Sequence, residues 1–184
     1  MPKAKTERTL QRTKESIAVY QALLEGLELM PGEMNHLYVP TMQNMLRQAR
    51  RTVECVETGE PFAASAFSNP AEILTAMDLH WYFIFQQAFA GGLPNPHMLE
   101  DLEALDSMPV AADVCTLIRL GLHYLDAGLL PKPSVYLGIV EPCDGIVGVH
   151  EAMRTHPEWR NVPAWAPDCI YWTDERGLTY FADE

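Results

Sequence analysis

The sequence predicts an α/β protein in which a parallel, flavodoxin- or Rossmann-like sheet carries helices on both faces and follows an N-terminal helical segment. Between residues 59 and 172, short apolar segments alternate with longer segments of helical periodicity, which is typical of parallel β-α-β units. Residues 6–30 and 41–58 instead place apolar side chains three and four positions apart. This spacing predicts two amphipathic helices before the first strand.

The first two strands are predicted from short apolar segments that flank a capped helix. Residues 62–67 are small and apolar, and residues 80–85 are mostly aromatic, so both segments favour buried strands. Between them, Asn69 is a suitable N-cap and is followed by proline at the first helical position. This combination predicts a helix over residues 70–78.

The second half of the predicted domain continues the alternation of helices and strands. The expected elements are a short helix over 99–105, a helix over 114–127, a strand over 134–140, a helix over 144–155 and a strand within 162–172.

Three parts follow from this pattern, namely a helical extension (1–58), an α/β domain (59–172) and the start of a further helix (173–184). Because the apolar face of that last helix starts and stops at the end of the sequence, we expect the chain to be one portion of a longer subunit.

The charge distribution argues against most polyanionic partners. The net charge is −12, with five basic and two acidic side chains in residues 1–15 and eight basic and 23 acidic side chains in the remainder. The acidic body would repel nucleic acid. The basic start predicts a solvated helix end or a disordered tail, with RNA or an acidic partner as the alternative.

Hydropathy and cysteine content predict a cytoplasmic protein. No run of 18 apolar residues is present, so no transmembrane helix is expected, and the N-terminus lacks the apolar region of a signal peptide. Four cysteines without an export signal are typical of reduced thiols in the cytosol. The six histidines show no metal-binding spacing, and the common phosphate-loop, dinucleotide and nucleophile-elbow motifs are missing.

Two cysteines lie where the predicted chain changes from one element type to the next. Cys115 falls in the first turn of a helix, and Cys143 follows the clearest core strand. Such positions face the crevice at the carboxyl ends of parallel strands, where ligands bind. The 27 residues between the two cysteines argue against a local zinc chelate. Two distant cysteines that meet in one crevice suit an iron–sulfur cluster.

Each of these cysteines also has a structural interpretation. Cys115 is either a thiolate favoured by the helix dipole or a core residue that packs on the sheet. Cys143 precedes Asp144 and Gly145 in a turn whose amides could donate hydrogen bonds to cluster sulfides or substrate oxygens. Alternatively, Asp144 is a helix cap and the cysteine beside it is incidental.

Three further side chains near these positions have open roles. Arg119, one helical turn after Cys115, could neutralise a cluster, bind a phosphate or carboxylate of acyl-CoA, or form a surface salt bridge. Cys169 lies near a later strand, and its direction is open. Cys55 is expected to be a small core residue on the second helix.

Four segments together resemble the 2-hydroxyacyl-CoA dehydratase and benzoyl-CoA reductase family over residues 60–184. Asn69–Leu79 resembles the family segment P-x-E-I-L-x-A-x-G-L, although Asp78 replaces the glycine, which we expect to alter the turn. Residues 113–119 resemble the first cluster cysteine with its following basic residue, and residues 142–145 resemble the second, in a P-C-D turn. Residues 180–184 are similar to the start of the helix that joins the two domains of family members.

The resemblance implies a multi-component enzyme. Family members have two flavodoxin-like domains per subunit, a homologous second subunit and a [4Fe–4S] cluster. An ATP-dependent activator protein with its own iron–sulfur cluster supplies one low-potential electron. A ketyl-type radical of the thioester then leads either to dehydration of a 2-hydroxyacyl-CoA or to ring reduction of benzoyl-CoA.

The resemblance also implies roles for individual residues. Cys115 and Cys143 would be thiolate ligands, and Arg119, Asp144 and Gly145 would contact the acyl-CoA substrate. Because family members take a further cluster cysteine from the second domain, this chain would supply only part of the site. The alternative is a non-catalytic α/β binding or assembly module that uses its methionine- and aromatic-rich N-terminal helices as a partner surface.

Overall fold

Six helices and four strands make up the part of the chain that the computed structural model describes, namely residues 3–29, 32, 35–65, 71–85, 95–138, 144–166, 175 and 179. The helices are α1 (Lys3–Leu29), α2 (Asn35–Thr58), α3 (Ala71–Ala76), α4 (Met98–Leu105), α5 (Thr116–Asp126) and α6 (Asp144–Thr155). The strands are β1 (Ala63–Ser65), β2 (Trp81–Phe83), β3 (Val135–Leu137) and β4 (Ala164–Trp165).

The four strands form one parallel sheet in the order β2-β1-β3-β4. The predicted α/β class and parallel sheet are therefore confirmed. β1 is central, since Ala64 pairs with Tyr82 of β2 on one side and with Tyr136 of β3 on the other. The chain consequently moves in one direction from β1 to β2 and then crosses back past β1 to reach β3.

Helices pack on both faces of the sheet. On one face, the side chains of Ala64, Tyr82 and Tyr136 belong to the main core together with residues of α5 and α6. On the other face, Leu74 of α3 packs with Ala63 and with residues of β3. The alternation of strand side chains explains this division, because successive residues of a strand point to opposite faces.

The N-terminal helices α1 and α2 run antiparallel. Lys14 pairs with Glu57, and Arg50 donates a hydrogen bond to Gln21, so the start of one helix lies beside the end of the other. α2 begins six residues before the predicted position 41 and includes Pro40. Pro40 is the sixth residue of the helix and has no backbone N–H, so one helical hydrogen bond cannot form there.

These two helices are attached to the α/β body rather than separated from it. The Thr9 hydroxyl donates to the Gly128 carbonyl at 2.7 Å, and Arg12 of α1 pairs with Asp101 of α4. Cys55 of α2 belongs to the main core and is 1% exposed. The predicted role of Cys55 as a core residue is therefore confirmed.

α3 ends in a turn with a left-handed residue. Leu79 N–H donates to the Leu74 carbonyl and Asp78 N–H to the Thr75 carbonyl, which is the bonding pattern of a Schellman motif. Asp78 occupies its left-handed position with φ 54°. Glycine adopts this conformation most readily, so the turn keeps a left-handed residue at the position where the family pattern has glycine.

Several predicted features fall at or beyond the limits of the described residues. The predicted cap at Asn69 lies outside them, and only residues 175 and 179 of the predicted last helix are described. Ile84 and Phe85, predicted as strand, form a turn after β2, yet both side chains are fully buried. None of the described helices has the length and apolar character needed to cross a membrane.

Candidate functional site

The candidate site lies at the carboxyl edge of the sheet, where α5 and α6 both begin. Six residues separate the end of β3 from the start of α6, so connectivity places the N-terminus of α6 at this edge. α5 ends shortly before β3 begins, and its 11 residues run back along the sheet for about 16 Å. The N-termini of both helices therefore face the same end of the parallel strands, which is where α/β sheets bind ligands.

Cys115 is the N-cap residue of α5, and its side chain is exposed. Its backbone is extended (φ −44°, ψ 127°), and its carbonyl accepts the first helical hydrogen bond, from Arg119 N–H at 3.1 Å. The thiol makes no capping hydrogen bond. Of the two interpretations of Cys115, the structure excludes the core packing residue and leaves an accessible thiol at a helix N-terminus.

Arg119 is buried rather than on the surface. One of its terminal nitrogens donates a hydrogen bond to the Leu105 carbonyl at the end of α4. Its Nε is also buried and has no hydrogen-bond partner within the described residues. Arg119 therefore joins α4 to α5, and the surface salt bridge considered from the sequence is not formed.

The predicted residues around α6 are only partly described. Asp144 is the first residue of α6 and is exposed, while Gly145 follows it and is partly buried. Cys143 and Cys169 lie outside the described residues. Among the residues that are described, no group of three metal-binding side chains occurs.

The donor chemistry at this edge fits one ligand of a cluster. A thiolate is the usual ligand of iron–sulfur iron, and the accessible Cys115 thiol can fill that role. Cys55 cannot contribute, because it is buried in the core and because burial raises the pKa of its thiol.

Tyr136 and His150 are two polar residues near this edge that the sequence analysis did not select. Their rings lie 5.5 Å apart, and the Tyr136 hydroxyl and His150 Nδ1 are both buried without a hydrogen-bond partner in the described part of the chain. Burial raises the pKa of Tyr136 and lowers the pKa of His150, so both side chains are neutral near pH 7. Neither has a sequence pattern that distinguishes it from an ordinary core residue.

A second polar cluster surrounds Asp101 and includes two residues near the C-terminal end of α5, away from Cys115. The Asp101 carboxylate is 1% exposed and accepts hydrogen bonds from Arg12 at 2.7 Å, Tyr124 at 3.0 Å and Asn95 at 3.2 Å. His123 Nε2 lies 3.5 Å away.

The protonation state of Asp101 indicates a structural role for this cluster. Burial alone would raise the pKa of Asp101, but the contacts with His123 and Arg12 outweigh it and lower the pKa to about 2. A carboxylate with a pKa of about 2 is a weak base at pH 7 and is therefore poorly matched to proton transfer at that pH. The cluster therefore holds α1, α4 and α5 together.

A cavity of about 180 Å³ lies between the N-terminal helices and the segment before β3. Its lining includes Thr9, Cys55, Phe62 and Lys132. Because Phe62 and Lys132 precede β1 and β3, this cavity is at the amino edge of the sheet and apart from Cys115.

Comparison of the chain with protein-family models, with curated proteins and with solved structures finds no match.

Proposed function

We propose that this chain is an iron–sulfur subunit, or the N-terminal part of one, of a cytoplasmic, ATP-activated acyl-CoA dehydratase or reductase. Its substrate would be a 2-hydroxyacyl-CoA or benzoyl-CoA. Its partners would be a homologous second subunit and an activator protein with its own iron–sulfur cluster. When bound, the [4Fe–4S] cluster would supply one low-potential electron to the thioester.

The observation that carries this proposal is the position of Cys115. Its thiol is exposed at the N-terminus of an 11-residue helix and makes no capping hydrogen bond, so it is accessible to a metal ion. The same edge of the sheet receives the N-terminus of α6, which Cys143 directly precedes in the sequence. A second thiolate from that position would enter the same crevice.

Two features of the fold support the resemblance. The strand order β2-β1-β3-β4 agrees with the first four strands of the flavodoxin-like order, whose ligand site lies between the first and third strands. The left-handed Asp78 occupies the position of the glycine in the family segment, so this turn has the backbone conformation for which glycine is suited.

The described residues have distinct tasks in this proposal. Cys115 would ligate iron. Asp144 and Gly145 would present the first turn of α6 to the substrate. Arg119 Nε, which has no partner within the described residues, would bond an anionic oxygen. The acidic body does not provide a cationic site for the CoA phosphates, so a partner subunit or a further domain would bind them.

The test is anaerobic analysis of iron and acid-labile sulfide, with an electron paramagnetic resonance spectrum after reduction, on the chain copurified with its partners. We expect about four irons per cluster and a loss of iron and signal in Cys115→Ser and in Cys143→Ser. Cys55→Ser is the matched control, because it removes a thiol from the core without touching this edge.

Absence of iron and sulfide from the folded, anaerobically prepared assembly would refute the proposal. The chain would then be better described as a non-catalytic α/β assembly module. Equal loss of iron in Cys55→Ser and Cys115→Ser would also count against it, since that result would indicate general destabilisation.

A further inference from the structure

Two buried tyrosines on the same face of the sheet differ in how their hydroxyl groups are bonded. Tyr82 and Tyr136 flank Ala64 in the strand register and are 5% and 1% exposed. The Tyr82 hydroxyl donates to the Pro131 carbonyl at 2.8 Å, just before β3 and therefore at the amino edge. The Tyr136 hydroxyl has no such partner in the described part of the chain.

The Tyr136 side chain points along β3 towards the carboxyl edge. A Cβ atom on Gly138, two residues further along, would lie 3.1 Å from the Tyr136 hydroxyl oxygen and 3.0 Å from ring carbon Cε1. The same Cβ would lie 3.3 Å from the Ala166 side chain, which follows β4. Glycine at 138 therefore leaves room for the tyrosine at the edge where Cys115 and the N-terminus of α6 also lie.

His150 of α6 adds a second unsatisfied group at the same place. Its ring is 5.5 Å from that of Tyr136, and its Nδ1 is buried without a partner among the described residues. Buried polar groups in folded proteins are nearly always hydrogen-bonded. Tyr136 and His150 are two adjacent exceptions near the ligand-binding edge of a parallel sheet, where a bound molecule would supply the missing partner.

We propose that the Tyr136 hydroxyl donates a hydrogen bond to an oxygen of the acyl group of the thioester substrate, with His150 beside it; this inference rests on the proposed function. A neutral phenol in apolar surroundings suits an uncharged acyl oxygen, whereas the phosphates of CoA require cationic groups. Tyr136 is thus a positioning residue for the acyl group and has no role in binding the CoA moiety.

The test measures affinity and stability of Tyr136→Phe in the complete anaerobic complex without activator, so that no turnover occurs. Calorimetry with a 2-hydroxyacyl-CoA, with benzoyl-CoA and with free CoA separates acyl recognition from CoA recognition. We expect acyl-CoA affinity to fall about tenfold, the value of one buried hydrogen bond, and free CoA affinity to stay unchanged. The melting temperature should stay the same or rise, because an unsatisfied hydroxyl is removed.

Tyr82→Phe is the matched control. It removes a bonded hydroxyl from the same sheet face and leaves the Pro131 carbonyl without its donor. We therefore expect Tyr82→Phe to lower the melting temperature and to leave the ratio of acyl-CoA to CoA affinity unchanged.

Three results would overturn the inference. Unchanged acyl-CoA affinity in Tyr136→Phe would indicate that the hydroxyl does not contact the acyl group. A drop in melting temperature as large as that of Tyr82→Phe would indicate that the hydroxyl is bonded within the protein. Failure of the wild-type complex to bind any acyl-CoA would overturn this inference together with the proposed function. The first two results would overturn this inference alone, because they do not affect the iron and sulfide content on which the proposed function is tested.

Discussion

Replacing Arg12 by leucine tests whether the buried ion pair with Asp101 holds the N-terminal helices on the α/β body. Arg12 Nη1 lies 2.7 Å from Asp101 Oδ1, and the two side chains are 14% and 1% exposed. Removal of Arg12 leaves an ionised carboxylate in the core. The pKa of Asp101 is about 2 in the intact network; loss of Arg12 raises it, but His123 and Tyr124 still favour the ionised form.

The expected loss follows from the geometry of the remaining contacts. Breaking a buried ion pair by removing one partner costs about 3–5 kcal/mol. Asp101 keeps the hydroxyl of Tyr124 at 3.0 Å, the amide of Asn95 at 3.2 Å and His123 Nε2 at 3.5 Å, and these contacts reduce the penalty. We therefore expect Arg12→Leu to lower the free energy of unfolding by about 3 kcal/mol, at the lower end of that range.

Lys14→Leu is the matched control on the same helix. Lys14 pairs with Glu57, but these side chains are 50% and 48% exposed, and exposed pairs contribute about 0–1 kcal/mol. Urea unfolding at pH 7, followed by circular dichroism, measures both variants without adding salt. Equal losses in Arg12→Leu and Lys14→Leu, or a loss below about 1 kcal/mol in Arg12→Leu, would refute the assignment of Asp101 as a buried, ionised clamp.

Three further predictions concern the backbone and pH. Gly121→Ala should lower the free energy of unfolding by about 1–3 kcal/mol, because the new Cβ would lie 2.5 Å from the fully buried ring of Phe85. Gly148 has open space around it, so Gly148→Ala should raise the free energy of unfolding by about 0.5–1 kcal/mol. Urea unfolding that gave a change of the same sign for both variants would contradict this prediction. Asp78 has a left-handed backbone (φ 54°) that glycine adopts more readily, so Asp78→Gly should stabilise the protein by about 0.5–1 kcal/mol. Asp106 has φ −68°, so Asp106→Gly should not stabilise it. Thermal melts check this prediction, and stabilisation by both variants would contradict it. Burial is the main cause that lowers the pKa of His80 from 6.5 to about 4. The unfolded state therefore takes up the proton first, and the free energy of unfolding should fall as pH falls through that interval. His80→Gln should reduce this dependence of stability on pH, and an unchanged dependence in urea unfolding at several pH values would count against the prediction.

The element order could be predicted from the sequence because it depends on local patterns. Apolar periodicity, the small residues of 62–67 and the proline and glycine positions are all short-range features, and the structure has helices and strands in the predicted order. Boundaries were less accurate where tertiary contacts decide them. α2 begins at Asn35, whose side chain donates to the Leu27 carbonyl of α1 at 2.7 Å, and this bond between two helices has no sequence pattern.

The polar residues of the core could not be predicted either, because their burial depends on contacts between residues far apart in the sequence. Asp101 looks like one of several acidic residues on a surface helix, whereas its partners Arg12 and Tyr124 lie 89 and 23 positions away in the sequence. Arg119 has a sequence position that suits ligand binding, yet its terminal nitrogen bonds a carbonyl of α4. The exposure of Cys115 was one of two possibilities that the pattern alone left open, because a helix N-terminus at a sheet edge can face either the core or the crevice.

The two buried tyrosines of the sheet point to opposite edges and differ in the hydrogen bonding of their hydroxyl groups. Towards the amino edge, Tyr82 is paired with Pro131 and Thr9 with Gly128, whereas Gln48 Oε1, beside His80, is buried without a partner in the described chain. Towards the carboxyl edge, Cys115 is exposed and the Tyr136 hydroxyl is buried without a partner in the described chain. Unsatisfied groups reduce stability, and in our proposal an acyl oxygen of the substrate is the partner of the Tyr136 hydroxyl. Variants at the amino edge should therefore alter unfolding, whereas Tyr136→Phe should alter binding without loss of stability.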